Sequence, residues 1–307
     1  MSARVLDGKA IAAAIENEVA EGVAALKRDA GVTPRLSVLL VGSFAPSKIY
    51  VRNKARSAER AGIRSEVLEM PESSRTAEVL ARVEALNADA DVDGILVQLP
   101  LPGGVEEMRV IERLSPEKDV DCLTPYNMGR LLLGTQPWSP CTPAGIMEIL
   151  RRSGIPVEGR RAVIVGRSNI VGKPLAVLML RANATVVMCH TRTADLEGEC
   201  RRADILVAAA GRAALIGARH IAPGATVIDV GINRVESRAE AERLFGGDPE
   251  RLREVERKGS TLVGDVHPTE ARERAGALTP VPGGVGPLTV AMLLRNTLEA
   301  ARRRRPG

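Results

Sequence analysis

Lysine is scarce in this chain, with seven residues against 36 arginines, and one lysine lies near one of only two tyrosines. Tyr50 and Lys54 are four positions apart, so their side chains share one face of the helix predicted there. The ring can stack on a planar ligand, and the amine can transfer protons if burial or neighbouring groups lower its pKa. The alternative is an amphipathic helix whose lysine extends along apolar surface.

Two further polar residues lie at or beyond the end of a buried strand predicted over 94–99. Gln98 lies near the carboxyl end of that strand, where ligands bind in open parallel sheets, and its neutral amide can hold a lysine amine in place. Asp121, in the loop sequence K-D-V-D-C, can accept paired hydrogen bonds from an amino-pyrimidinone edge. Each residue also has a structural alternative, because Gln98 can cap the strand and Asp121 can cap a turn.

The stretch Val163–Pro174 reads V-I-V-G-R-S-N-I-V-G-K-P and predicts a strand, a turn from Gly166 and a helix from about Val171. Unpaired N–H groups and the dipole at a helix N-terminus attract anions, which predicts a phosphate site. Ser168 replaces the second glycine of the usual dinucleotide fingerprint G-x-G-x-x-G. A tight turn in any doubly wound sheet is therefore the alternative interpretation.

The end of the next predicted strand bears on the choice of dinucleotide. NAD-selective sites place a carboxylate about 20 residues beyond the glycines, and here none occurs before Asp195. The hydroxyl group of Thr191, together with Arg167 and Arg192, suits a 2′-phosphate instead. We therefore predict NADP as the cofactor.

The sequence P-V-P-G-G-V-G-P at 280–287 forms another candidate binding element. Prolines hold such a loop rigid, and glycines let its backbone approach a ligand closely. Pro282, Gly283 and Gly284 are the residues we expect to contact substrate.

Hydrophobic periodicity predicts the elements that position these residues. Strands alternate with helices in two successive runs, which indicates an α/β protein with parallel sheets. The segment 100–143 is rich in proline and glycine and is interpreted as the connection between two domains. The charged segment 235–260 is expected to be a helical surface insertion, and 288–301 a final helix.

Length and composition suit a soluble protein of two ordinary domains, with 307 residues and hydrophobic and charged shares of 45% and 26%. No apolar run approaches the roughly 20 residues that span a bilayer, and the N-terminus lacks a signal-peptide core. We expect a cytoplasmic protein without membrane partners. Its four cysteines are expected to be reduced thiols: Cys122, Cys141, Cys189 and Cys200.

The titratable residues give no sign of a metal or nucleic-acid site. The three histidines do not have the spacing of metal ligands. The net charge is +5, but the basic residues are scattered among 38 acidic residues. The basic run Arg302–Arg305 is interpreted as a solvated end rather than a nucleic-acid arm.

Taken together, the motifs resemble the bifunctional methylenetetrahydrofolate dehydrogenase/methenyltetrahydrofolate cyclohydrolases of bacterial type. Any one motif is weak, but seven occur in the family's order across nearly the whole chain. The matching segments are Y-V-R-N-K (50–54), D-G-I-L-V-Q-L-P-L-P (93–102), K-D-V-D (118–121), P-C-T-P (140–143), V-G-R-S-N-I-V-G-K-P (165–174), D-V-G-I-N (229–233) and P-V-P-G-G-V-G-P-L-T-V (280–290).

The resemblance implies an N-terminal α/β catalytic domain completed by the C-terminal helix, and a Rossmann-like parallel-sheet NADP domain. The expected boundaries are 1–140 with 283–307 for the folate-binding catalytic domain and 141–282 for the NADP domain, with folate in the cleft between them. It also implies a homodimer and a place in one-carbon metabolism, which serves purine, methionine and histidine biosynthesis.

The resemblance assigns roles to individual residues. Lys54 is expected to be the central catalytic residue, assisted by Gln98. Tyr50 is expected to stack on the folate, and Asp121 to bind its pterin. The cofactor is assigned to Gly166, Arg167, Ser168, Thr191 and Ile232.

Two other functions stay open on the sequence alone. Another two-domain NADP dehydrogenase, similar to shikimate dehydrogenases, would need its own catalytic lysine–aspartate pair and would leave Q-L-P-L-P and P-G-G-V-G-P unexplained. A non-catalytic NADP-binding module would have no reason to keep Tyr50, Lys54, Gln98 and Asp121 together.

Overall fold

The computed structural model describes residues 2–43 and 45–305, and these form two compact α/β units. The three-stranded unit comprises residues 12–141 and the chain from 289 onwards; the six-stranded unit comprises 142–288 and the chain up to 11. These bounds differ from the expected ones near both termini. The N-terminal residues join the six-stranded unit because the two-residue strand β1 (Arg4–Val5) pairs in parallel with β11 (Ala277–Leu278).

The three-stranded unit has a parallel sheet in the order β3-β2-β4. Its central strand, β2, is mostly apolar and is buried on both faces. The elements are α1 (Gly8–Ala30), β2 (Arg35–Val41), α2 (Ala45–Arg60), β3 (Arg64–Met70), α3 (Thr76–Ala88), β4 (Gly94–Val97), α4 (Glu107–Arg113), α5 (Pro125–Leu133) and most of α12 (Val285–Arg304).

The six-stranded unit has a parallel sheet in the order β1-β11-β8-β7-β5-β6. The inner strands β5, β7 and β8 are short, almost entirely buried and mostly apolar, as expected where helices cover both faces. Besides β1 and β11 its elements are α6 (Cys141–Arg152), β5 (Arg161–Val165), α7 (Gly172–Arg181), β6 (Thr185–Cys189), α8 (Leu196–Cys200), β7 (Ile205–Ala208), β8 (Thr226–Asp229), β9 (Asn233–Val235), α9 (Arg238–Phe245), α10 (Pro249–Lys258), β10 (Thr261–Val263) and α11 (Pro268–Arg274).

The charged segment 235–260 is helical, as predicted. It contains α9 and α10, which lie between the antiparallel strands β9 and β10. Their charged faces are exposed, and a small apolar cluster anchors them. That cluster consists of Val235, Ala241, Leu244, Phe245, Val255 and Val263.

The interpretation of 100–143 as an interdomain connection is wrong. Most of this segment folds into the three-stranded unit and includes α4 and α5, and Val110 and Ile111 of α4 are buried in its core. Pro125 does not break α5, because it occupies the first turn, where its missing N–H group costs nothing. The side chain of Thr124 caps the same helix by accepting from the Asn127 N–H.

The interpretation of the basic run as a solvated end is also wrong for its last two residues. Asp93, whose side chain is fully buried, pairs with Arg304 at 3.1 Å and with Arg305 at 3.0 Å, and it also accepts from the Arg35 N–H at 3.0 Å. A buried carboxylate needs such partners to offset the loss of hydration. Arg302 and Arg303 are exposed, as expected.

Replacing both Arg304 and Arg305 with alanine should lower the free energy of unfolding by about 3 to 5 kcal/mol, because Asp93 then stays buried without a counterion. The matched control replaces Arg302 and Arg303, which removes the same charge from an exposed surface and should cost about 1 kcal/mol or less. Urea denaturation followed by circular dichroism measures both. Equal losses in the two double variants would contradict the role given to Asp93.

Candidate active site

A direct hydrogen bond joins two of the predicted catalytic residues. Lys54 on α2 donates from Nζ to Oε1 of Gln98, the first residue after β4, at 3.0 Å. The Gln98 amide is oriented in turn by its own bond, from Nε2 to the carbonyl oxygen of Leu99 at 2.7 Å. Gln98 therefore binds the backbone at the strand end and the lysine at once, so the two roles considered for it are compatible.

The environment of Lys54 favours the neutral amine more than water does. Burial lowers the pKa of Lys54, and the nearby charge of Asp121 opposes this effect. Burial and the charge of Asp121 raise the pKa of the Cys141 thiol well above its usual value, so the thiol stays neutral near pH 7. The charged neighbour of the amine is then a single carboxylate, and its immediate partner is an uncharged amide.

The two aspartates of K-D-V-D have different surroundings. Asp119 is buried and caps the turn that precedes the next helix, accepting from the N–H groups of Leu123 at 3.1 Å and Thr124 at 2.8 Å. Asp121 is partly exposed and lies near the thiol of Cys141, which itself donates to the Val120 carbonyl oxygen at 3.5 Å. The capping role considered for Asp121 thus belongs to Asp119, which leaves the Asp121 carboxylate accessible to a ligand.

Asn296 on α12 holds the backbone beside Asp121, and no motif in the sequence pointed to this residue. The buried Nδ2 of Asn296 donates to the carbonyl oxygens of Val120 at 2.8 Å and Ser139 at 3.0 Å. These acceptors lie more than 150 positions away in the chain, so no local spacing could reveal the contact.

Tyr50, on the same helix as Lys54, is 42% exposed.

In the six-stranded unit, the turn after β5 is built by close backbone contacts. A Cβ atom on Gly166 would lie 2.0 Å from the carbonyl oxygen of Ala209, and one on Gly172 would lie 2.2 Å from that of Gly166. Gly166 also has a φ of 133°, which favours glycine. The wide glycine spacing therefore follows from the shape of this turn.

The N-terminus of α7 differs from the expected anion site. The Ser168 hydroxyl accepts from the N–H groups of Val171 at 3.2 Å and Gly172 at 3.4 Å, and its carbonyl oxygen accepts from Lys173 at 3.1 Å. The N–H groups predicted to be unpaired are thus already satisfied by Ser168. Arg167 and Ser168 are both exposed at the turn.

The residues after β6 present hydroxyl and cationic groups. Thr191 and Arg192 are exposed. Asp195, the first acidic residue beyond the strand, caps α8 by accepting from the Gly198 N–H at 2.8 Å. Its carboxylate already has a structural role, which leaves the strand end suited to a negatively charged group.

The loop containing Pro282, Gly283 and Gly284 is held from two sides within the six-stranded unit. On one side, the Lys9 N–H donates to the Gly283 carbonyl oxygen at 3.1 Å. On the other, Arg251 of α10 donates from Nη2 to the Val281 carbonyl oxygen at 2.6 Å. The backbone of this loop is therefore fixed in place.

Ile232, the last of the expected cofactor residues, is 47% exposed and follows β8. Within residues 2–43 and 45–305, no group of three or more His, Cys, Asp or Glu side chains could hold a metal ion. No helix in that part of the chain is long and apolar enough to cross a membrane.

Two family models match the chain in sequence and together cover most of it. The model described as Tetrahydrofolate dehydrogenase/cyclohydrolase, catalytic domain, matches residues 6–121, and its NAD(P)-binding domain matches 140–305. The chain belongs to the tetrahydrofolate dehydrogenase/cyclohydrolase family. This membership confirms the resemblance and does not favour the shikimate-dehydrogenase-like alternative.

Full-length relatives agree with this assignment. The bifunctional protein FolD of Koribacter versatilis is 56% identical over 305 residues, which cover 99% of each chain. The FolD structure from Campylobacter jejuni is 41% identical with a TM-score of 0.89, covering 99% of this chain and 100% of that one. The Trypanosoma brucei FolD structure, complexed with NADP cofactor and inhibitor, is 38% identical with a TM-score of 0.90 and full coverage of both chains.

The contact between Gly166 and Gly172 gives a prediction. Gly172→Ala should destabilise the protein by about 1 to 3 kcal/mol, because the added methyl group meets a backbone carbonyl oxygen that cannot move freely. Gly129→Ala is the matched control: that glycine also lies in a helix, but a Cβ there has nothing within 4 Å. The control should stabilise by up to about 1 kcal/mol. Thermal unfolding measures both, and the same sign for both would contradict the packing argument.

Proposed function

We propose that the chain oxidises 5,10-methylenetetrahydrofolate to 5,10-methenyltetrahydrofolate and then hydrolyses that product to 10-formyltetrahydrofolate. Both activities are those named by its family. The observation that carries the proposal is the Lys54 amine, whose pKa is lowered, held at 3.0 Å by the neutral amide of Gln98 near Asp121. A lowered pKa lets an amine give up its proton more readily than a free lysine does, which suits it to acid–base chemistry.

In the hydrolysis, water adds to the cationic methenyl carbon and loses one proton. One C–N bond then breaks, the hydroxyl becomes the formyl carbonyl group, and its proton passes to the released ring nitrogen. Lys54 is proposed to move protons in these steps, and Gln98 to orient the amine without adding charge. Asp121 is proposed to accept from the pterin and Tyr50 to stack on it. Pro282, Gly283 and Gly284 are proposed to contact substrate through their fixed backbone.

NADP is the proposed cofactor, and it supplies the hydride acceptor for the first reaction when bound. The residues fit it in two respects. Arg167 and Ser168 are exposed where Gly166 and Gly172 bring the backbone close together. The end of β6 offers Thr191 and Arg192 but no uncommitted carboxylate, which suits a 2′-phosphate. Ile232 is proposed to complete the site.

The remaining parts of the proposal concern context. We propose a cytoplasmic homodimer, consistent with four free, buried cysteines, that supplies one-carbon units for purine, methionine and histidine biosynthesis. Sedimentation equilibrium tests the dimer, and a mass of 32.7 kDa would contradict it.

Lys54→Met should reduce cyclohydrolase turnover by about 10²-fold or more, since a positioned acid–base group contributes that much. The assay adds methylenetetrahydrofolate and NADP+, follows NADPH and methenyltetrahydrofolate absorbance, and runs NAD+ in parallel. Lys48→Met, an exposed lysine on the same helix, is the control and should behave as wild type. Wild-type hydrolysis by a folded Lys54→Met protein would refute the assignment.

The neutrality of Gln98 gives a separate prediction. Gln98→Glu places a carboxylate beside the Lys54 amine and should raise the pKa of Lys54, because an opposite charge favours the charged amine. The limb of the cyclohydrolase pH–rate profile that reports Lys54 should then move to higher pH by about 1 to 3 pH units. Gln98→Leu removes the hydrogen bond without adding charge and should not move this limb upward. An unchanged profile in Gln98→Glu would contradict the proposed pairing.

A further inference from the structure

Three neighbouring strands of the six-stranded unit end beside one another. In the order β8-β7-β5, the first residues beyond the strands are Val230, Ala209 and Gly166. The Ala209 N–H donates to the Val165 carbonyl oxygen at 2.8 Å, and the Val230 N–H donates to that of Ala208 at 2.9 Å. These loops therefore start in register at the carboxyl edge of the sheet, where α/β proteins bind dinucleotides.

One buried carboxylate holds two of these loops. The Asp265 side chain is fully buried, and its Oδ2 accepts from the N–H groups of Ala210 at 2.6 Å and Gly211 at 2.8 Å. Its Oδ1 accepts from the Arg212 N–H at 2.9 Å and from Nδ2 of Asn233 at 3.0 Å. Three consecutive N–H groups after β7 and the side chain of Asn233, which follows Ile232, thus share one carboxylate.

A second aspartate holds the backbone that carries Asp265. Oδ1 of Asp229, at the end of β8, accepts from the N–H groups of Gly231 at 3.0 Å and Asp265 at 2.8 Å. Its Oδ2 accepts from the Val266 N–H at 3.0 Å. The two carboxylates therefore join the loops after β7, β8 and β10 into one network.

Two glycines leave the space that this network needs. A Cβ atom on Gly231 would lie 2.2 Å from Oδ1 of Asp265, and one on Gly264 would lie 1.7 Å from Oδ2 of Asp229. Any other residue at either position would displace a carboxylate. The sequences D-V-G-I-N and G-D-V thus encode the two halves of the network.

We propose that Asp265 is a positioning residue of the dehydrogenase reaction. It fixes Ala210–Arg212 beside the Gly166 turn and, through Asn233, the segment that carries Ile232, so that both are set before the dinucleotide binds. This inference rests on the proposed function for the location of the cofactor site. Asp265 itself is enclosed by backbone and is not assigned a contact with the cofactor.

Asp265→Asn replaces an acceptor oxygen with a donor and leaves buried N–H groups unpaired. It should raise the KM for NADP+ and weaken NADPH binding roughly tenfold or more. Hydrolysis of methenyltetrahydrofolate supplied directly should stay within about twofold of wild type, because Lys54 and Gln98 belong to the other unit. The measurements are initial rates of both reactions and NADPH fluorescence titration on the full-length protein.

Asp204→Asn is the matched control. Asp204 accepts from the Arg161 N–H at 2.8 Å in the same unit, just before β7 rather than after it. It should affect thermal stability without changing NADPH affinity. Asn233→Ala is the milder variant: it removes one contact to Asp265 but leaves three backbone N–H donors, and it should weaken NADPH binding roughly threefold.

Unchanged NADPH affinity in folded Asp265→Asn and Asn233→Ala proteins would overturn the inference. If Asp265→Asn does not fold, Asn233→Ala alone decides, and equal effects of Asn233→Ala and Asp204→Asn on NADPH affinity would also overturn it. The binding titration requires no folate turnover. A wild-type protein inactive on folate that still binds NADPH would therefore refute the proposed reaction and leave the role of Asp265 to be judged by affinity.

Discussion

A buried carboxylate must receive hydrogen bonds, and this requirement sets the loops at the strand ends of both units. Removing an ion from water costs several kcal/mol even after the protein relaxes. Asp229 shows the scale of this cost: burial raises its pKa to about 7 although three N–H groups oppose the shift. Asp119 and Asp265 likewise accept from consecutive N–H groups. Each loop is held because moving it would leave a buried charge without donors.

The same rule separates two lysines of the three-stranded unit, the buried Lys118 and the half-buried Lys54. Lys118 donates to three backbone carbonyl oxygens at the end of α3, at 3.0, 2.7 and 2.6 Å, which uses all three of its protons. Among the residues that the structure describes, the Lys54 amine donates one hydrogen bond, to the side-chain amide oxygen of Gln98. Burial lowers the pKa of both amines, so their hydrogen bonds make the difference. An amine with unused donors is suited to chemistry, whereas a saturated one stabilises the fold.

The sequence predicted the repeating elements well because burial imposes a local period. β4 begins at Gly94 and α7 at Gly172, within one residue of the starts predicted for a strand and a helix. It could not distinguish Asp119 from Asp121, since only the folded loop shows which carboxylate is buried among N–H donors and which one lies near Cys141. Strands of two residues, such as β1, carry no period at all. Family membership follows from the motifs, whereas the burial of Arg304 on Asp93 required the tertiary structure.

The sequence did not explain the role of the charged segment between β9 and β10, and the structure shows a contact that gives it one. Arg251 of α10 lies over the ring of Phe245 at 5.0 Å and is paired with Glu254 at 3.5 Å, which limits the positions its guanidinium can take. From there it reaches the Val281 carbonyl oxygen, next to Pro282. Arg251 and Val281 both line a cavity of about 960 Å³, so the hydrogen bond rather than close packing connects helix and loop at this point. A surface segment that looks polar and dispensable is thereby coupled to the backbone of the loop that contains Gly283 and Gly284.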